Sequence, residues 1–218
     1  MRGVRRRAPV GPARGYYPLA VDELTYRVAV PDSPARVTTG RRVLVLGGGR
    51  SGKSRFAEDY LGSARPVTYV ATAPDYPGDA EWADRVRQHR VRRPANWSTV
   101  ETSDPATVLD QAGDGAPILV DSITTWLSRV MDDCDGWKDE LPAQAGKRLS
   151  AALDALAGAW AHTSALVVAV SDEVGSGIVP ESVPVRRFRD ALGDLNQRLA
   201  AASDEVWLVT AGIPLRLR

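Results

Sequence analysis

From residue 42 onward the chain alternates short apolar runs with polar, helix-compatible stretches. Residues 43–46 (Val-Leu-Val-Leu) read as a buried strand that runs straight into glycines. Residues 54–61 predict a helix ended by Gly62, and residues 67–70 a second strand, giving the strand–loop–helix–strand order of an α/β unit. A charged, helix-compatible segment follows at 80–90, with Trp82 and Val86 four apart on one face. The next apolar run, 118–120, ends at Asp121. An alanine-rich helix is predicted over 150–161, with Leu153, Leu156 and Trp160 at helical spacing. A buried strand at 165–170 and a long helix at 188–202, with Leu192, Leu195 and Leu199 on one side, come next. The last clear strand is 206–210, where Trp207 reads as core. Continuous apolar strands alternating with helices predict a mostly parallel sheet with helices on both faces. The irregular stretch 175–184 follows a strand, where such sheets carry working loops.

Composition narrows this picture. At 218 residues the chain is long enough for one substantial core and short for two domains. Its 44% hydrophobic and 25% charged residues are ordinary globular usage. The net charge of +1 gives no reason to expect a nucleic-acid partner. The charge is uneven, however. Residues 1–42 hold nine arginines against three acidic residues, and the remainder has 19 basic against 24 acidic. Residues 1–40 therefore read as a basic, Pro- and Gly-containing extension, and 41–218 as a single domain. Three readings of the extension stay open: a flexible tail with one loosely docked strand at 24–30, a partner-binding arm, or residues added by an upstream start. No apolar segment follows the first arginines, and later apolar runs are far below membrane-spanning length. No stable membrane insertion and a cytoplasmic setting are expected. A single cysteine, Cys134, excludes a disulfide framework, and two histidines, His89 and His162, argue against a histidine-built metal centre.

The strongest chemical signal is Gly47-Gly48-Gly49-Arg50-Ser51-Gly52-Lys53-Ser54, which fits G-x-x-x-x-G-K-S between a strand and a helix. Small residues let the backbone curl so that its N–H groups face anionic oxygens, and the helix start adds a favourable dipole end. Lys53 reaches the β and γ phosphates, and the Ser54 hydroxyl joins a Mg²⁺ shell. The fold expected is that of the P-loop nucleoside triphosphate hydrolases. Kinases, ATPases and GTPases all use such a loop. Asp121, at a strand end, reads as a carboxylate facing Mg²⁺ through water or as a plain turn residue. Ser122, Thr124 and Thr125 extend its polar edge without assigned roles.

Several segments together resemble the bifunctional adenosylcobinamide kinase/adenosylcobinamide-phosphate guanylyltransferase family. They are GGGRSGKSRFAE at 47–58, VTYVATA at 67–73, RVRQHRVRRPANW at 85–97, ILVDSITTWLS at 118–128, VAVSDEVGSGIVPE at 168–181 and FRDALGDLNQRLAAASDEVWLVTAGIP at 188–214. The resemblance implies phosphorylation of adenosylcobinamide by ATP or GTP. Transfer of GMP from GTP to the resulting adenosylcobinamide phosphate follows, through a guanylylated histidine, giving adenosyl-GDP-cobinamide and pyrophosphate. The matching histidine is His89. Neutral imidazole is a competent nucleophile near pH 7, and Arg87, Arg90, Arg92 and Arg93 supply nearby cations.

By the same resemblance, Lys53, Ser54 and Asp121 form the phosphate–metal centre, with Mg²⁺ and with ATP and GTP as substrates. Arg90 and Arg93 join the nucleotide-binding set. Arg50 covers phosphate or forms the loop's salt-bridge rim. Glu173 recognises guanine or sugar, positions metal, or simply meets solvent. Asn196 and Arg198 match family positions or act as caps and anchors, whereas His162 reads as a helix-end residue. The resemblance also implies a homotrimer with sites between subunits. This chain departs from the family's common pattern in its basic extension and in Asp172, where Asn is usual. Two rivals remain at this level: a relative retaining one half-reaction, and a nucleotide-regulated binding protein.

Overall fold

The computed structural model describes residues 40–73, 78, 84, 86, 87, 90, 91 and 93–218. The extension with its strand-like stretch at 24–30, Trp82, Arg92 and His89 lie outside the described residues.

Seven strands form one sheet: β1 (Arg42–Gly47), β2 (Thr68–Ala71), β3 (Ser98–Glu101), β4 (Ile118–Asp121), β5 (Val167–Asp172), β6 (Glu205–Thr210) and β7 (Ile213–Arg216). Their order is β3-β2-β4-β5-β1-β6-β7. All neighbours pair in parallel except β6 and β7. The helices are α1 (Lys53–Leu61), α2 (Pro105–Asp110), α3 (Ile123–Asp133), α4 (Ala143–His162) and α5 (Val183–Ala201). Asp84, Val86, Arg87, Arg90 and Val91 are also helical, within the predicted 80–90 segment or one residue past it.

The central strands are apolar along their length because both faces are covered. Val43 and Val45 of β1 pack with Leu119, Val168 and Val170 against Phe56, Ala57 and Leu61 of α1. Leu44 points the other way, joining Val120, Val167 and Ala169 under Trp126, Leu127, Leu156, Trp160 and Leu195 of α3–α5. Trp207 is buried and its ring lies 5.2 Å from that of Phe56.

Four elements go beyond the sequence expectation. Strand β3 is exposed at every residue, so it carries no hydrophobic period. Helix α2 is only six residues long, started by Asp104, whose carboxylate accepts from Thr107 N. Strand β7 is an antiparallel edge containing Pro214, a place where proline is tolerated. Helix α3 did leave a signal: Ile123, Trp126, Leu127 and Met131 are buried at helical spacing behind a capping box of Ser122 and Thr125. The predicted 150–161 helix lies inside α4, and the predicted 188–202 helix covers α5 from Phe188 to its C-cap Ala202; both helices begin earlier.

Parallel pairing brings the C-terminal ends of the strands together. Gly47 stands beside Asp172 and Ala71 beside Asp121. In open parallel sheets this edge is where ligands bind.

Candidate active site

The loop after β1 is fixed by backbone geometry. A Cβ on Gly47 would lie 2.5 Å from Ser51 Oγ and 2.6 Å from Val209 O, so only glycine lets the chain turn there. Gly52 sits at φ 95° as the N-cap of α1. The Gly212 N–H donates to Ser51 O at 2.8 Å, which ties the loop to the β6–β7 turn. No side chain caps α1 and its first turn holds no acidic residue, so its N–H groups remain available to an anion.

Lys53 and Ser54 open this helix and face two strand-end carboxylates. Lys53 Nζ lies 2.5 Å from Asp172 Oδ1 and donates to Gly48 O at 3.1 Å. The Ser54 hydroxyl approaches Asp121 Oδ1 at 3.4 Å, while Tyr69 OH donates to Asp121 Oδ2 at 2.8 Å. Burial, and then the negative charge of Asp121, push the Tyr69 phenol well above its ordinary pKa, so it remains a donor. The Arg93 guanidinium lies 3.2 Å from the centre of the Tyr69 ring and donates to Thr99 Oγ1 at 3.1 Å. Arg90 pairs with Glu101.

These groups surround a cavity of ≈ 210 Å³. Of the residues singled out from sequence, Gly49, Arg50, Lys53, Ser54, Arg90, Arg93 and Asp121 line it. Gly47 and Ser51 are buried beneath the loop, and Gly48 supplies the carbonyl that Lys53 bonds. Arg50 holds a left-handed backbone conformation at φ 57°.

Glu173 is not among the lining residues. Its carboxylate closes its own loop, accepting from Gly175 N at 2.8 Å and from the Ser176 hydroxyl at 2.7 Å. The Ser176 hydrogen bond, ahead of the backbone N–H groups and Arg189, holds its pKa below the ordinary glutamate value against an opposing contribution from burial. Asn196 donates to Asp172 O at 3.0 Å, Arg198 pairs with Asp154 at 2.9 Å, and the His162 ring meets Gly158 O at the end of α4. Ser122 and Thr125 cap α3. Thr72 accepts from Ser122 N and donates to Ser122 O, and Thr124 Oγ1 accepts from Asp172 N. Tyr69, Thr99, Glu101 and Asp172 also line the cavity and were not among the site residues chosen from sequence. Among the described residues, no group of three or more His, Cys, Asp or Glu is placed to hold a metal.

The family model described as cobinamide kinase / cobinamide phosphate guanyltransferase matches residues 43–217. The chain belongs to this family. The family's characteristic activities are the two that its description joins, so the chain is an enzyme of kinase and guanylyltransferase type. It is 41% identical over 181 residues to the bifunctional adenosylcobalamin biosynthesis protein CobU of Escherichia coli, covering 81% of this chain and 99% of that one. The CobU protein of Salmonella typhimurium is 42% identical over 182 residues, with the same coverage. The CobP protein of Pseudomonas aeruginosa is 37% identical over 180 residues, covering 81% of this chain and 97% of that one. Among solved structures, an ATPase from a type III secretion system aligns with a TM-score of 0.49 at 13% identity, over 79% of this chain and 51% of that one. That likeness is too loose to carry an argument. No helix among the described residues is long and apolar enough to cross a membrane.

Proposed function

We propose that the chain phosphorylates the hydroxyl of adenosylcobinamide with ATP or GTP and then transfers GMP from GTP to the phosphate so formed. The observation that carries this reading is the meeting of Lys53, Ser54 and Asp121 with Arg90 and Arg93 around one cavity at the C-terminal edge of the sheet. The loop from Gly47 to Ser54 is taken as a phosphate-binding loop of P-loop type. Its backbone N–H groups and the uncapped start of α1 cradle the phosphates, and Lys53 neutralises the transferred group. Ser54 and Asp121 offer a hydroxyl and a carboxylate oxygen 3.4 Å apart, a hard-oxygen pair that would hold Mg²⁺. When bound there, Mg²⁺ offsets the negative charge on the phosphates. Tyr69 orients the Asp121 carboxylate, leaving Oδ1 toward Ser54.

For the second reaction the nucleophile is His89, carried over from the matched RVRQHRVRRPANW segment. An imidazole nitrogen forms a bond to the α-phosphorus of GTP as the bond to pyrophosphate breaks. An oxygen of the corrinoid phosphate then attacks that phosphorus as the N–P bond breaks, and the imidazole leaves neutral because its other ring nitrogen keeps its proton throughout. Arg90, one residue on, and Arg93 supply positive charge along the cavity wall. Glu173 serves this site indirectly, by shaping the loop after β5. A homotrimer, a nucleotide-dependent cytoplasmic setting, and a single domain at 41–218 with an accessory extension complete the proposal.

The test is incubation with Mg²⁺ and α-³²P-labelled GTP, with and without adenosylcobinamide phosphate. Acid-labile label on the protein, absent from His89→Ala and chased into adenosyl-GDP-cobinamide, is the expected result. A folded, nucleotide-binding protein that takes no label and makes no corrinoid product overturns the guanylyl transfer.

A further inference from the structure

The ammonium of Lys53 is held between a loop carbonyl and a carboxylate from a different strand. Its contacts are Gly48 O at 3.1 Å and Asp172 Oδ1 at 2.5 Å. The pair is half-buried, with side-chain exposures of 12% for Lys53 and 25% for Asp172, so solvent screens it less than a surface pair.

Asp172 is held from three sides. Its N–H donates to Thr124 Oγ1 of α3 at 2.8 Å, and its carbonyl accepts from Asn196 of α5 at 3.0 Å. The next N–H, from Glu173, reaches Gly47 O of β1 at 3.1 Å. With the Cα fixed beside Gly47 and only a short side chain, the carboxylate stays at the base of the loop. The other acidic groups of the cavity are engaged elsewhere: Asp121 with Tyr69 and Ser54, Glu101 with Arg90. A phosphate entering the loop therefore meets an ammonium already shared with Asp172, and it meets the negative charge of Asp172 itself.

We propose that Asp172 is a positioning residue that holds Lys53 in place and competes with nucleotide phosphate for it. This deepens the proposed function and rests on its assignment of the loop to phosphate. The charge at position 172 then sets how tightly a nucleoside triphosphate is retained. An enzyme that uses nucleotide in two successive reactions must also let products go. The carboxylate gives Lys53 a partner to return to as a product phosphate leaves. Asparagine at this position keeps the shape and the backbone bonds but supplies no counter-charge.

The experiment measures binding of Mg·GTP and Mg·ATP by calorimetry to the full chain and to Asp172→Asn, Lys53→Met and the double variant. Asp172→Asn is expected to bind both nucleotides roughly 5- to 20-fold more tightly, the scale of a charge-assisted hydrogen bond set against a screened pair. KM should fall while kcat does not rise. In the Lys53→Met background the gain should shrink below about twofold, as a cycle isolating a pairwise interaction requires. An equal gain without Lys53 would show that Asp172 acts only as a general negative charge, and would overturn the proposal. So would unchanged or weaker binding by Asp172→Asn.

A second readout needs no nucleotide. The chain has three lysines, Lys53, Lys138 and Lys147, so reductive ¹³C-methylation provides three lysine NMR reporters beside that of the amino terminus. The Lys53 signal, identified by its loss in Lys53→Met, should move in Asp172→Asn while the other two stay. A Lys53 signal that does not move refutes the ion pair even if nucleotide binds. If Lys53 moves but the wild type binds neither nucleotide, the pair stands, and the phosphate-loop reading and the competition built on it both fall.

Discussion

Tyr69 sits between a cation and an anion, and its hydroxyl decides which way Asp121 faces. Removing that hydroxyl leaves the ring under Arg93 but takes away one of the groups that orient the Asp121 carboxylate. Tyr69→Phe is expected to remain folded and to need roughly 3- to 10-fold more Mg²⁺ for half-maximal kinase activity, the scale of one lost hydrogen bond; a Mg²⁺ titration reads this. At Glu173 the prediction concerns acid. Its folded pKa is lowered, so its contribution to stability is fully present above the ordinary glutamate range and is lost as pH falls through the lowered value. Glu173→Gln should therefore be less stable than wild type at neutral pH, and the two should converge as pH drops below that range. Urea melts at a series of pH values check it, and a gap that persists in acid would contradict the assignment.

Strand β6 carries a charge into the interior at its first residue. Glu205 is 3% exposed, yet its carboxylate is satisfied: it pairs with Arg41 and accepts from Tyr60 OH at 3.2 Å and Trp207 Nε1 at 2.8 Å. The cluster ties the chain's entry into β1 to β6 and to α1. Glu205→Ala leaves a cation and two donors without their acceptor and should cost about 2–4 kcal/mol in denaturant melts, against about zero for an exposed carboxylate such as Asp59. At the opposite end of the sheet, the Ser122–Thr125 box starts α3 directly behind Asp121, so the cap fixes the strand end on which the carboxylate stands. Edge strands β3 and β7 are four residues each, and their shortness limits pairing with another sheet.

For the molecule as a whole, the site exists because separate crossovers return the chain to one edge of a parallel sheet. The family match begins at residue 43, and Arg41 makes the outermost of the stabilising contacts just described. A chain cut to residues 41–218 is therefore expected to fold and to keep both activities within about twofold, because the family match and the contacts described above lie within those residues. Loss of folding in that fragment would assign the extension to the domain. Leu156 is fully buried in the core shared by α3, α4 and α5. Leu156→Ala should destabilise by about 2–5 kcal/mol without altering nucleotide affinity in the protein that remains folded.

The sequence by itself determined the central strands, the interiors of the long helices and the glycine loop. Each depends on local chemistry: apolar runs that fill a doubly covered sheet, leucines at helical spacing, and a turn at Gly47 that admits no side chain. The family resemblance led to the expectation of Lys53, Ser54 and Asp121 in one centre, and all three line the same cavity. Strands β3 and β7 escaped because an exposed edge imposes no hydrophobic period. The helical periodicity and cap of α3 are local signals that the sequence does carry. Tertiary structure alone decided which carboxylate holds Lys53, that Tyr69 orients Asp121 and that Glu173 turns onto its own loop. The first two facts depend on register that pairs Ala71 with Asp121 and Gly47 with Asp172, far apart in sequence, and the third on side-chain direction past a strand end, neither of which a local pattern encodes.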